Sequence, residues 1–220
     1  MSDWSSENAK NAYLQTVKMA KSGKEPDIAE FISAIAAGNN AKLMVVASAS
    51  VVGSVMLALT AAAQQTHGRV VSISCDQNEM QESRKALGVD KKCVEFVVGD
   101  AISLLLSAYK GADFVLVDCD MSNAREVFLA AFKGANKDGA LVVGYNVRHR
   151  ALRWSQFRAT YLPIGEGLLV TKIDLNMKKD NDMVGQRNKK SHWIVQVDNC
   201  TGEEHIFKVT SPCKKVDIEV

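Results

Sequence analysis

Short, uniformly apolar runs of strand length recur through the middle of the chain, at residues 43–47, 69–75, 94–98, 114–117 and 140–145. They are rich in Val and Ile and do not alternate with polar residues, which is the pattern of strands buried on both faces. Segments of helical length separate them, at 51–65, 77–87, 101–109 and 123–133. Regular alternation of this kind makes each strand run parallel to the last through a crossover, so the expected fold is α/β with a mostly parallel, doubly wound sheet. A barrel of the (β/α) type needs about eight such units, more than the chain provides.

The flanks read differently. Ser5 or Ser6 caps an opening helix that places Ala9, Ala12, Tyr13, Thr16, Val17 and Ala20 on one face. After Pro26 a second helix turns Ile28, Phe31, Ile32 and Ile35 inward and ends at Gly38 and Asn39. Beyond Tyr145 a basic stretch (Arg148, His149, Arg150, Arg153) leads to runs at 157–162 and 168–173, expected as an antiparallel pair closing the sheet edge. Residues 177–191 are polar and read as a flexible loop, and 192–210 as a C-terminal β-hairpin turning at Asn199-Cys200-Thr201-Gly202. The expectation is a single domain over 1–220, with helices in 1–40 and the sheet in 42–175.

Composition removes several classes of function. Hydrophobic residues make up 47% and charged residues 24% of the 220, an ordinary globular balance, and a net charge of +2 gives no reason to expect a nucleic-acid partner. The apolar stretch 43–63 is interrupted by Ser48, Ser50, Gly53, Ser54 and Thr60, so it reads as a strand and an Ala-rich helix, and no membrane partner is expected. The five cysteines form no CxxC pair or zinc-like cluster. With a polar N-terminus, they point to reduced thiols in the cytoplasm.

In a doubly wound sheet, ligands collect outside the carboxyl ends of the strands. The residues that fall there are Ser48, Ser50 and Gly53, then Cys75 and Asp76, then Asp100 and Ala101, then Asp118 and Asp120, and finally Tyr145 and Asn146. Asp76 suits a ribose diol, or equally a helix N-cap in a capping box with Glu79. Asp100 suits an adenine amino group, or the cap of the following helix. Asp118 and Asp120 suit proton removal from a substrate, or a divalent cation if Tyr145-Asn146 adds an oxygen. The first loop has one glycine, Gly53, and neither a GxGxxG nor a Walker sequence, which argues against a dinucleotide dehydrogenase or a phosphate-cradling NTPase.

The ordered stretches Val97-Val98-Gly99-Asp100-Ala101, Phe114-Val115-Leu116-Val117-Asp118-Cys119-Asp120, Gly139-Ala140-Leu141-Val142-Val143-Gly144-Tyr145-Asn146 and Leu162-Pro163-Ile164-Gly165-Glu166-Gly167 resemble the class I methyltransferases of the caffeoyl-CoA O-methyltransferase type. The ends, WSSENAKNAYLQTVK, EPDIAEFISAIAAGNNAKLMVVA and VDNCTGEEHIFKV, resemble a plant family of unknown function in the S-adenosylmethionine-dependent methyltransferase superfamily. The resemblance implies a Rossmann-like class I methyltransferase fold. Gly53 matches the second glycine of the relatives' first loop, Asp100 their acid near the adenine, and Asp118 one of their metal ligands. Ala47 and Ala49 stand where the relatives have an acid and a glycine, and Cys75 takes the place of their ribose-binding acid, with Asp76 one position on. Their Asp-Asn ligand pair becomes Asn146-Val147 and their active-site lysine becomes Met121, so no metal is expected.

The functional expectation is S-adenosylmethionine held by Ser48, Ser50, Gly53, Cys75, Asp76, Asp100 and Ala101, with methyl transfer to a small plant metabolite and Asp118 or Asp120 as the base. Methyl transfer suits this set because the sulfonium is already activated, and alignment supplies much of the acceleration. Two rivals use the same crevice: a non-catalytic binding or regulatory protein of methyltransferase fold, and an enzyme of another class acting on a small molecule. A small-molecule substrate and a second copy of the chain are the expected partners.

Overall fold

Strand β1 (Leu43–Ser48) has a parallel partner on each side, β2 (Arg69–Ser74) and β4 (Phe114–Asp118). Beyond β2 the sheet continues with β3 (Val94–Val98), and beyond β4 with β5 (Leu141–Tyr145), all parallel. At the far edge β7 (Leu168–Lys172) runs antiparallel to β5, and β6 (Thr160–Leu162) antiparallel to β7, giving the order β3-β2-β1-β4-β5-β7-β6. This is the doubly wound, mostly parallel sheet with an antiparallel edge that the apolar runs predict. The computed structural model describes residues 4–19, 28–48, 53–87, 94–147, 159–173, 189–197 and 204–212.

Successive strand residues point to opposite faces, and both faces are covered. Val45, Ala47, Val71, Ile73, Val115, Val117 and Val142 join one core with residues of α5 (Ala101–Leu106) and α6 (Ala124–Gly134), among them Leu105, Val127 and Phe128. Met44, Val46, Val70, Phe114, Leu116 and Val143 join the other, with residues of α1 (Ser6–Met19), α2 (Ile28–Gly38), α3 (Gly53–Thr66) and α4 (Gln77–Leu87). The alanines of α3, of which Ala58, Ala61 and Ala62 are fully buried, let that helix sit close to the sheet. At the amino edge, Asp113 Oδ2 accepts from the backbone N–H groups of Lys42 (2.9 Å) and Leu43 (3.0 Å), and Oδ1 accepts from Asn136 Nδ2 at 2.9 Å. One carboxylate thus ties the starts of β1 and β4 to the loop before β5.

Two local expectations differ from what is observed. Val17, which the spacing places on the inward face of α1, is 41% exposed, because the buried stripe of Ala9, Ala12 and Thr16 is narrow and Val17 lies one helical step past it. Helix α5 ends at Leu106 rather than residue 109. Tyr109 instead turns its hydroxyl to Glu95 of β3, donating to Oε1 at 2.7 Å, and Gly111, at φ +87, donates its N–H to the Gly134 carbonyl.

The chain divides into two compact units, Met1–Lys179 and Asp180–Val220. The second contains the expected hairpin, β8 (Lys189–Val197) against β9 (Glu204–Pro212), in register from Lys189 opposite Pro212 to Val197 opposite Glu204. Strand β8 takes in residues 189–191 of the expected loop, whose remainder lies outside the described residues, as do the hairpin turn and the basic stretch from Arg148 to Arg153. Among the described residues no helix is long and apolar enough to cross a membrane.

Gly134, the last residue of α6, lies against α5. A Cβ on it would lie 2.2 Å from the Leu105 carbonyl oxygen, a backbone atom that cannot swing aside. Gly134→Ala is expected to cost about 2 kcal/mol or more, in the range of overpacking, read as a lower urea midpoint at unchanged slope.

Candidate functional site

The register that pairs Ser48 with Ser74, Ala47 with Val117 and Asp118 with Tyr145 aligns the ends of four strands. Ser74, Ser48, Asp118 and Tyr145 therefore form a polar row across the carboxyl edge, on the face that carries α3. All four are buried, Asp118 to 1% exposure. The row crosses the place where the chain, having built β2 and β3 on one side of β1, switches to β4 and β5 on the other, which is where such sheets open a crevice.

Hydrogen bonds converge on Asp118. Its Oδ2 accepts from Ser48 Oγ at 3.2 Å, and Ser48 Oγ accepts in turn from the Tyr145 hydroxyl at 3.2 Å. Its Oδ1 accepts from the backbone N–H of Asp120 at 3.0 Å and from Asn146 Nδ2 at 3.1 Å. Burial, then the negative charge of Asp118, push the Tyr145 hydroxyl well above the ordinary phenol range, so it remains a donor. Cys119, packed where a Cβ on Gly144 would lie 2.8 Å from its sulfur, has its thiol pushed up to about 12 by burial and then by Asp118 and Asp120. Such a thiol is no nucleophile near neutral pH.

The expected site residues fall into two groups. Ser48 and Asp118 are buried and bonded to each other. Cys75, Asp76, Asp100 and Asp120 are exposed at the ends of β2, β3 and β4; Gly53 opens α3, Ala101 opens α5, and Ser50 lies outside the described residues. Asp76 Oδ1 accepts from the Asn78 N–H at 2.7 Å, capping α4, while the Glu79 carboxylate takes the Ser74 hydroxyl at 3.2 Å instead of closing a capping box. Asp100 Oδ2 accepts from both the N–H (2.9 Å) and the hydroxyl (2.6 Å) of Ser103, capping α5, and these bonds, the hydroxyl first, hold its carboxyl below the usual range. In each carboxylate these capping bonds fall on one oxygen. Capping and ligand binding, which look like competing roles in the sequence, are thus compatible in one side chain.

Asn146 and Tyr145 complete the site in a way that residue type alone does not foretell, since their partners lie 28 and 97 residues away in sequence. Asn146 has φ +57, a left-handed conformation that Asn tolerates better than most residues. Among the described residues no group of three or more His, Cys, Asp or Glu stands close enough to hold a metal ion.

This strand order is that of the Rossmann-like fold of the methyltransferases. Several solved structures share it. Among them are a methyltransferase from Geobacter sulfurreducens (21% identity, TM-score 0.56, covering 77% of this chain and 90% of that one), an O-methyltransferase from Bacillus cereus in complex with SAH (16%, 0.55, 77% and 92%) and an SAH-bound methyltransferase from Podospora anserina (14%, 0.56, 79% and 91%). Residues 2–209 match the family described as a protein of unknown function, DUF1442, and the chain belongs to that family. Among curated proteins none matches.

The raised thiol of Cys119 makes a pH prediction. The folded chain keeps this proton up to about 12, whereas the unfolded thiol loses it near 9.0, so the contribution is complete below 9.0 and is lost as pH rises toward 12. Thermal midpoints should therefore fall across that window, and Cys119→Ala should fall less steeply than the wild type. The convergence on Asp118 makes another. Asp118→Ala strands the Ser48 and Asn146 donors and is expected to cost about 1–3 kcal/mol by chemical denaturation, more than Ser48→Ala.

Proposed function

We propose that the crevice binds S-adenosylmethionine and that the protein transfers its methyl group to a small molecule without a metal. The observation that carries this reading is the pair of exposed carboxylates at the ends of β2 and β3, each fixed by a capping bond through one oxygen. An adenosyl ligand presents a ribose diol and an adenine amino group, both hydrogen-bond donors, and Asp76 and Asp100 are fixed acceptors on adjacent strands. Gly53 and Ala101, opening α3 and α5, keep side-chain bulk away from the ligand at those helix starts. The SAH carried by two of the similar structures supports the same reading.

The bound sulfonium supplies an activated methyl group, so the chain's own residues need only align the nucleophile and take its proton. Asp120 is assigned that proton. It is exposed at the end of β4, whereas Asp118 is buried and holds the backbone N–H of Asp120 through Oδ1. Asp118 thereby positions the residue that meets the substrate. The free thiols Cys75 and Cys119 fit a reducing, cytoplasmic setting.

A second reading, a binding protein of methyltransferase fold without turnover, is favoured by one observation: Ser48 and Asp118 satisfy each other.

Isothermal titration with S-adenosylmethionine and with SAH separates these outcomes. Binding is expected for both, and no heat from either at millimolar ligand overturns the reading. Asp76→Ser and Asp100→Ser keep a helix cap but remove the second carboxylate oxygen, and each should weaken SAH about tenfold or more. Binding of SAH with no conversion of S-adenosylmethionine in the presence of small hydroxyl and amine acceptors would favour the binding protein.

A further inference from the structure

The amide of Asn146, half-buried at the end of β5, is locked from three directions. On one side of it the Tyr145 carbonyl accepts from the Cys119 N–H at 2.9 Å, and on the other the Val147 N–H donates to the Gly167 carbonyl at 3.3 Å. Its φ of +57 is therefore imposed by the surrounding backbone. The side chain is fixed as well, with Nδ2 donating to Asp118 Oδ1 at 3.1 Å. A carboxylate only accepts hydrogen bonds, whereas a carboxamide has one donating and one accepting end. Asp118 consequently decides which way round the amide sits. The NH2 group faces the buried carboxylate, and Oδ1 lies on the other side of Cγ, away from it.

The other side-chain donors of the row point the same way: the Tyr145 hydroxyl donates to Ser48, and Ser48 donates to Asp118. Asn146 Oδ1 is thus the part of this network turned away from its centre, and no partner for it stands among the described residues. We propose that Asn146 is a specificity-determining residue of the crevice, whose Oδ1, oriented by Asp118, accepts a hydrogen bond from a small-molecule ligand carrying a neutral O–H or N–H group. Asp118 is its positioning residue. The inference rests on the methyl-transfer reading only in taking that ligand to be the methyl acceptor; the polarity of the corner is independent of any cofactor.

The test uses the full chain, labelled with nitrogen-15, and two probes of nearly equal shape: phenol, which donates a hydrogen bond, and anisole, which does not. Phenol is expected to shift the Asn146 side-chain amide resonances in a saturable way and to bind about tenfold more tightly than anisole, the effect of one hydrogen bond to a neutral acceptor. Asn146→Gly keeps the left-handed backbone and removes only the amide, and it should abolish the preference. Asp118→Asn can donate as well as accept, so it no longer dictates the amide's orientation and should narrow the preference. Equal binding of phenol and anisole, no binding of phenol at millimolar concentration, or a preference that survives in Asn146→Gly would each overturn the proposal. Running the titrations with and without SAH keeps the two readings apart, since failure of SAH to bind leaves the comparison of the probes intact.

Discussion

Everything at the carboxyl end of the sheet depends on β1 being paired on both sides. A strand buried on both faces needs partners for its backbone polar groups, and β1 finds them in β2 on one edge and β4 on the other. Because β3 continues outward from β2 and β5 from β4, the connections leaving the carboxyl ends part to either side. The gap between them is where side chains from several strands can meet a ligand. It follows from chain connectivity.

The same pairing sets the register, and the register makes Asp118 a centre. A carboxylate placed among valines and leucines needs donors close by. Ser48 on the neighbouring strand, Asn146 just past the next one and the N–H of Asp120 supply them. Asp118 thereby gains a structural role at the position where the sequence suggests a base. The exposed acids serve differently, since each capping bond that fixes Asp76 or Asp100 to its helix also orients the carboxylate. The cap that stabilises each helix therefore also fixes a carboxylate at the end of the preceding strand.

Much of the fold could be read from the sequence because uniform apolar runs and intervening helical segments are local patterns. The five parallel strands, the antiparallel edge and the hairpin all appear, with boundaries displaced by a few residues. The displacements have identifiable causes. Helix α5 stops early because Tyr109 reaches Glu95 on β3, and Val17 faces outward because the stripe of small residues on α1 covers only a narrow face. Both depend on what lies opposite, which a propensity pattern does not contain.

For the crevice, the sequence determined which residues stand at the strand ends and which of them begin helices, since a cap is formed by groups two or three positions apart. Asp76 with Asn78 and Asp100 with Ser103 are local pairs of that kind. The tertiary structure alone decided that Ser48 turns inward to Asp118, that Tyr145 closes the row, and that Asn146 has its amide held one way round. Those partners are 28 to 97 residues apart, brought together by strand register. Register is fixed by the packing of two complete cores against the sheet, a property of the assembled chain that no segment carries by itself.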